Sequence, residues 1–195
     1  MREEVAAVIW LILGLALWVV LHLTPSIGIG FRTSLREKLG AKNYQIGFAI
    51  KVVLSIVLMV IGWRSADQEF VYTPPEWGAH VGMLFILLGF IFFGLSHAKT
   101  NLKQYVRHPQ LTGLIMWAIG HLLANGDNLS IILFGTLGVW ALVEIALINR
   151  REGAWVKPEK VPLSAGIRPI VTWLIIFTVF FFAHPYLFGV SPIPY

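Results

Sequence analysis

The chain has 195 residues, of which 57% are hydrophobic and only 13% are charged, and it contains no cysteine. Soluble globular domains are usually about a quarter charged, so the composition excludes an ordinary soluble protein and indicates a membrane protein. Without cysteine, disulfide bonds and thiolate metal sites are excluded. The formal net charge of +5 comes from basic residues in short links between apolar segments, not from one basic face, so we expect no nucleic-acid partner.

Six apolar segments follow one another, and each is predicted to be a helix. A hydrocarbon core of about 30 Å needs about 20 helical residues, and the backbone polar groups of a lipid-embedded segment must be satisfied within it. The sequence therefore predicts an all-α, polytopic membrane helix bundle of about six transmembrane helices, forming a single domain over residues 1–195. The first segment lacks a basic leader and a clear cleavage site, which favours a retained span over a signal peptide. The segments lie near 5–31, 44–63, 77–97, 110–124, 129–148 and 167–190, and only 110–124 is short for a span.

The basic residues alternate between links, which predicts an orientation. Three alternate links hold 12 of the 15 lysines and arginines, and basic links stay on the cytoplasmic side, so both termini are expected on the other side. In the first of these links, Ser34 and Glu37 have the spacing of a capping box and Gly40 is a stop signal, which predicts a short surface helix. The basic links are 32–43, 98–109 and 149–168.

Two histidines are predicted to lie deep in the membrane, where an ionisable group needs a partner or a function. His22 precedes the basic residue Arg32 by ten positions and His121 follows Gln110 by 11. At a helical rise of about 1.5 Å per residue, both lie about 15 Å from the cytoplasmic charges. Neutral imidazoles at matched depth on two helices are what a bis-histidine haem requires, and imidazole is the natural iron ligand in a chain without thiols. The sequence predicts His22 and His121 as ligands of haem iron.

The remaining histidines lie near the ends of apolar segments, where an imidazole costs little. His80, His97 and His184 are therefore expected to be structural. His80 is the substitute for His22 as iron ligand if Pro25 ends the first helix early.

Two charged residues also lie inside apolar segments. Lys51 is about seven residues into the second segment, where its long side chain can reach the interface. Glu144 lies late in the fifth segment and is expected to pair with Lys51 or with an arginine such as Arg107 or Arg150.

Three stretches resemble the NnrU family of bacterial membrane proteins. They are HLTPS at 22–26, YVRHPQLTG at 105–113 and WAIGHLLANGDNLSIILFG at 117–135, so the resemblance runs from the first segment through the fifth. It implies a multi-pass protein of the bacterial cell inner membrane, in contact with membrane lipids. By family name it also implies a link with nitrite and nitric oxide reduction in denitrification, without an assigned reaction.

The family is similar to the membrane domain of plant 15-cis-zeta-carotene isomerase, a haem b enzyme. His121 follows the histidine of the Arg-His-Pro motif by thirteen positions, as a ligand of that enzyme does, and His22 matches its other ligand histidine. The isomerase has a cysteine where this chain has Ala118, so a cysteine-based ligand exchange and carotenoid isomerisation do not follow. The resemblance implies haem b and redox or nitrogen-oxide chemistry.

Further residues are assigned to the predicted haem site. Lys51, Arg107 and His108 face the cytoplasmic half, where a cation can receive a haem propionate. Asn125 and Asp127 are expected to fix the turn behind His121 and with it the tautomer of the ring.

The RHPxxxG motif also resembles isoprenylcysteine carboxyl methyltransferases and implies an alternative site for S-adenosylmethionine. Arg107, His108, Pro109 and Gly113 would hold this cofactor with Glu144, and a lipophilic small molecule would enter from the bilayer; Leu111 stands where those enzymes usually have an aromatic residue.

A third possibility is a non-catalytic assembly factor, in which Arg-His-Pro is the basic start of a helix. Catalysis, substrate and oligomeric state stay open at this point.

Overall fold

A computed structural model describes residues 2–193, with side chains from Ala7 onward. Most of the described residues are helical and none of them forms a strand, which confirms the predicted all-α membrane protein. The chain divides into two compact units, Met1–Glu69 and Phe70–Tyr195.

The first unit consists of a long helix, a short one and a second long one. They are α1 (Arg2–Ile27), α2 (Ile29–Leu39) and α3 (Ala41–Ser65). The backbones of α1 and α3 touch at Gly14, where a Cβ atom would lie 2.7 Å from the carbonyl oxygen of Ser55. Glycine at this position therefore allows a close approach of the two long helices.

The short helix α2 was predicted, but its start was not. It ends at Leu39, and the next residue, Gly40, has a φ of 77° that suits glycine, as expected for a helix stop. It begins directly after Gly28, so Ser34 lies inside the helix and cannot cap it. Pro25 lies within α1, which continues to Ile27, so His22 remains helical and the condition for its replacement by His80 is not met.

The described part of the second unit, which ends at residue 193, contains four long helices. They are α4 (Gly78–Ser96), α5 (Pro109–Ala124), α6 (Asn128–Glu152) and α7 (Ile167–Phe188). A turn of π-helix, Ile131–Gly135, widens the start of α6.

Glycines bring α4 and α5 into backbone contact. A Cβ atom on Gly113 would lie 2.8 Å from the carbonyl oxygen of Gly89, and one on Gly120 would lie 2.6 Å from that of Gly82. Small residues at such spacing are typical of membrane helices that pack closely. Because later residues of α5 meet earlier residues of α4, the two helices are antiparallel.

Aromatic side chains pack α7 against α4. The Phe90 ring lies 6.1 Å from Trp173, 5.5 Å from Phe177 and 5.9 Å from Phe180, measured between ring centroids. Trp173 also covers Gly94. Since Trp173 lies beside Gly94 and Phe180 beside Phe90, α7 is antiparallel to α4 and parallel to α5.

Five helical stretches of the described chain are long and apolar enough to cross a membrane. The remaining predicted segment is α5, which has 16 residues and is the short one expected from the sequence. Apolar side chains such as Ile175, Val179 and Phe182 are exposed along α7, as they would be in contact with lipid. The crossing stretches are Ala7–Ile27, Ala41–Ser65, Gly78–Ser96, Asn128–Glu152 and Leu163–Phe188.

Candidate functional site

His121 lies near the end of α5 with its ring held from two sides. The ring stacks on Phe134 of the π-helical turn, with centroids 4.2 Å apart and an angle of 20° between the planes. Trp117, one turn earlier in α5, lies 4.6 Å away. The ring is therefore fixed by aromatic contacts from its own helix and from α6.

The backbone sets the tautomer of His121. Its Nδ1 lies 2.8 Å from the carbonyl oxygen of Trp117, and a carbonyl can only accept, so Nδ1 carries the proton. In the neutral ring, Nε2 then holds the lone pair that binds a metal. Among the described residues this is the ring's one hydrogen bond, so Nε2 is not used by the protein.

Asn125 and Asp127 fix the turn after His121, as the sequence predicted. The Asn125 side-chain amide donates to the His121 carbonyl at 2.9 Å. Asp127 caps α6, because its carboxylate accepts from the Ser130 amide at 2.8 Å and from the Ser130 hydroxyl at 2.6 Å. Both residues therefore act on the backbone, and neither contacts the His121 ring.

Tyr72 also holds this turn, and the sequence did not single it out. Its hydroxyl lies within hydrogen-bond reach of the carbonyl oxygens of Leu122 and Asn125, the latter at 2.9 Å, and its single hydrogen is shared between them. Burial, and then the negative charge of Asp127, raise the pKa of the Tyr72 phenol. The signal available in the sequence was an aromatic residue with a polar end, just before Pro74 and Pro75 in a short link.

Arg107 and His108 fasten the start of α5 to the end of α6. The Arg107 guanidinium donates to the Gly153 carbonyl at 2.8 Å and lies 3.6 Å from the Glu152 carboxylate. His108 donates from Nε2 to the Asn149 side-chain oxygen at 2.9 Å. Arg107 thus pairs with Glu152, and the expected pair of Arg107 with Glu144 is not formed.

The other residues of the RHPxxxG motif shape the helix. Pro109 is the first residue of α5, where its missing N–H costs nothing. Gly113 lies against Gly89 of α4, so its lack of a side chain is what lets the two helices touch. Glu144 is buried in α6, with 7% of its surface exposed.

The remaining predicted site residues lie elsewhere on the chain. His80 is exposed in the first turn of α4, and Lys51 is exposed on α3 of the first unit. His22, also in the first unit, repeats the arrangement of His121: its Nδ1 lies 2.9 Å from the carbonyl oxygen of Trp18, and its ring stacks on Trp18 at 4.1 Å.

An apolar groove lies between α5 and α7, with α4 as its floor. Its volume is about 320 Å³. Aromatic rings form most of its lining, which suits a flat apolar molecule. The lining residues are Gly89, Phe90, Phe93, Leu114, Trp117, Trp173, Ile176 and Phe180.

A bare metal ion has no prepared site in the described part of the chain. No three or more side chains of histidine, aspartate or glutamate there are grouped to hold one. A haem iron needs fewer protein ligands, because the porphyrin supplies four nitrogens and the protein supplies one or two axial ligands.

A family model described as NnrU protein matches residues 10–192, nearly the whole chain. The matched range contains every candidate site residue named above. No curated protein and no solved structure matches the chain.

Proposed function

The chain belongs to the NnrU family, and from that premise we propose that it is a multi-pass membrane protein of the bacterial inner membrane that binds haem b through His121. Its role would be redox or nitrogen-oxide chemistry in denitrification. The single observation that supports haem binding best is the His121 ring, whose Nδ1 is bonded to the Trp117 carbonyl while Nε2 is left to accept a metal.

The donor set fits this group. A metal-bound histidine in proteins almost always donates its other ring N–H to a carbonyl or carboxylate, which fixes the tautomer and orientation of the ring. His121 has this arrangement within the described structure, and Phe134 holds the ring plane. Bound haem b would supply a one-electron iron centre that can take small ligands.

His22 is the second ligand predicted from the sequence. The hydrogen bond from its Nδ1 to the Trp18 carbonyl gives it the same tautomer as His121. Trp18 precedes His22 and Trp117 precedes His121 by four positions each, so the same Trp-x-x-x-His pattern occurs in both units.

The S-adenosylmethionine alternative receives less support from the contacts. A cofactor carboxylate at Arg107 would have to compete with Glu152 and the Gly153 carbonyl. A ligand at His108 would have to displace Asn149. We expect calorimetric titration with S-adenosylmethionine to give no binding; saturable binding lost in Arg107→Ala would favour the methyltransferase.

The haem proposal is tested by an absorption spectrum. The protein is produced in haem-replete cells and purified in detergent, and its haem content is measured as the pyridine haemochrome. We expect a Soret band in the wild-type protein and its loss in His121→Ala, because removing Nε2 removes the iron ligand.

The matched control is His97→Ala, since His97 is exposed at the end of α4 and should leave the haem content unchanged. Far-ultraviolet circular dichroism checks that each variant is folded. A folded wild-type protein without a Soret band, or a band of equal height in His121→Ala, rules the proposal out.

A further inference from the structure

Two stripes of side chains converge on the same end of the apolar groove. On α5, Leu114 and Trp117 line the groove, and His121 follows at the spacing i, i+3, i+7, which places all three on one helix face. Leu114 and Trp117 show that this face of α5 borders the groove.

The facing helix has the same pattern. On α7, Trp173, Ile176 and Phe180 line the groove, and His184 comes four residues after Phe180 on the same face. The sequence predicted only a structural role for His184, because it lies near the end of an apolar segment.

The two histidines are level along α4. Trp117 packs on Gly89 and Phe180 packs on Phe90, so these two groove residues lie at one level. Because α5 and α7 are parallel, one further turn along each brings His121 and His184 to a common level.

His184 has the same kind of hydrogen bond as His121, from Nδ1 to a backbone carbonyl. Its Nδ1 lies 2.8 Å from the carbonyl oxygen of Val190, so Nδ1 carries the proton and Nε2 has the lone pair. Gly189, with φ of 79°, turns the chain after α7 and brings that carbonyl back to the ring. Among the described residues Nε2 of His184 makes no hydrogen bond.

We infer that His184 would hold the haem iron together with His121. The inference rests on the proposed haem binding and assigns both protein ligands to the second unit, on the two helices that border a groove lined by aromatic side chains. Those side chains would pack on the apolar porphyrin.

Spectra of two single variants test the assignment. We expect wild-type haem to be six-coordinate and low-spin in absorption and electron paramagnetic resonance spectra. His184→Ala should keep haem but become five-coordinate and high-spin, and added imidazole should restore the low-spin spectrum by filling the vacant position. His22 is the second ligand that the sequence predicts, so His22→Ala separates the two candidates: if His184 is the ligand, this variant keeps the low-spin spectrum.

A second variant covers the case in which His184→Ala does not fold. In His184→Asn the side-chain amide can still donate to the Val190 carbonyl, while the imidazole ligand is gone, so we expect a folded protein with high-spin haem.

The outcomes separate the two proposals. Wild-type protein without haem overturns both. A low-spin spectrum that persists in both His184 variants, or that is lost in His22→Ala, overturns the role of His184 and leaves haem binding intact. High-spin haem in the wild-type protein also overturns the second ligand.

Discussion

At the scale of single residues, the tautomer of the candidate ligand His121 is set by the backbone carbonyl of Trp117, one helical turn earlier. The position of His121 in the last turn of the short helix α5 could be predicted from the sequence, because it follows from the bounds of the apolar segment 110–124. The tautomer could not be predicted, because it depends on the rotamer that brings Nδ1 within 2.8 Å of the Trp117 carbonyl. The hydrogen bond of His184 could not be predicted either, because its partner, the Val190 carbonyl, lies beyond the helix end and is brought back to the ring by the turn at Gly189.

Tyr72 should contribute to stability in a way that depends on pH. Its pKa in the folded protein is raised by burial and by the charge of Asp127, so folding favours the neutral phenol. This contribution is complete below the ordinary tyrosine pKa of about 10 and is lost as the pH rises through the folded pKa. Losing the hydrogen bond that the hydroxyl donates costs about 1 kcal/mol.

Thermal unfolding in detergent checks this when it is measured from about pH 8 to about pH 11, a range that spans the ordinary tyrosine pKa of about 10. We expect Tyr72→Phe to be less stable than wild type at pH 8, and the difference to shrink above about pH 10. Tyr105→Phe is the control, because Tyr105 is 78% exposed. A difference that stays constant across this range would contradict the assignment.

At the scale of elements, the Arg-His-Pro motif joins the first turn of α5 to the last turn of α6. The sequence predicted correctly that the motif starts a helix, and Pro109 is the first residue of α5. It could not predict the contacts with Asn149, Glu152 and Gly153, because those residues are more than 40 positions away along the chain. The motif therefore has a structural role whatever else it binds.

A double-mutant cycle tests the contact between His108 and Asn149. Each alanine variant alone should destabilise the protein by about 1 kcal/mol, and the double variant should cost less than the sum, because the hydrogen bond can be lost only once. Denaturant unfolding in mixed micelles provides the measurement. Additive effects would show that the two side chains do not interact in solution.

The glycine contacts between α4 and α5 give a second test at this scale. Gly120→Ala should lower stability by about 1–3 kcal/mol, because the new methyl group would lie 2.6 Å from the Gly82 carbonyl oxygen. Gly135→Ala is the matched control: nothing lies within 4 Å of its Cβ position, so the helix should be unchanged or gain up to about 1 kcal/mol. Equal thermal stability of the two variants would contradict the packing.

At the scale of the whole molecule, all six predicted segments are helices, and five of them are long enough to cross a membrane. The length of each apolar segment determines the length of its helix, so the helix bounds could be predicted to within a few residues. The exception is the first segment, which Gly28 divides into α1 and α2. In the second unit, Asn101 bonds the backbone of Val161, which places two basic links at one end of that unit. That position agrees with the predicted alternation of charge.

The orientation is testable because the chain has no cysteine of its own. A single cysteine at Glu159, in a basic link, should be protected from a membrane-impermeant maleimide in intact spheroplasts and labelled after lysis. A single cysteine at Asp67, in the acidic link, should be labelled without lysis. The reverse pattern would invert the predicted topology.

The shortness of α5 has a consequence for the surrounding lipid. Its 16 residues rise about 24 Å, whereas the hydrocarbon core measures about 30 Å. Such hydrophobic mismatch is relieved when the bilayer thins beside the shorter helix. The membrane should therefore be thinner next to α5 than next to the 25-residue α3. A small apolar solute would then cross less hydrocarbon beside α5, the helix that carries His121.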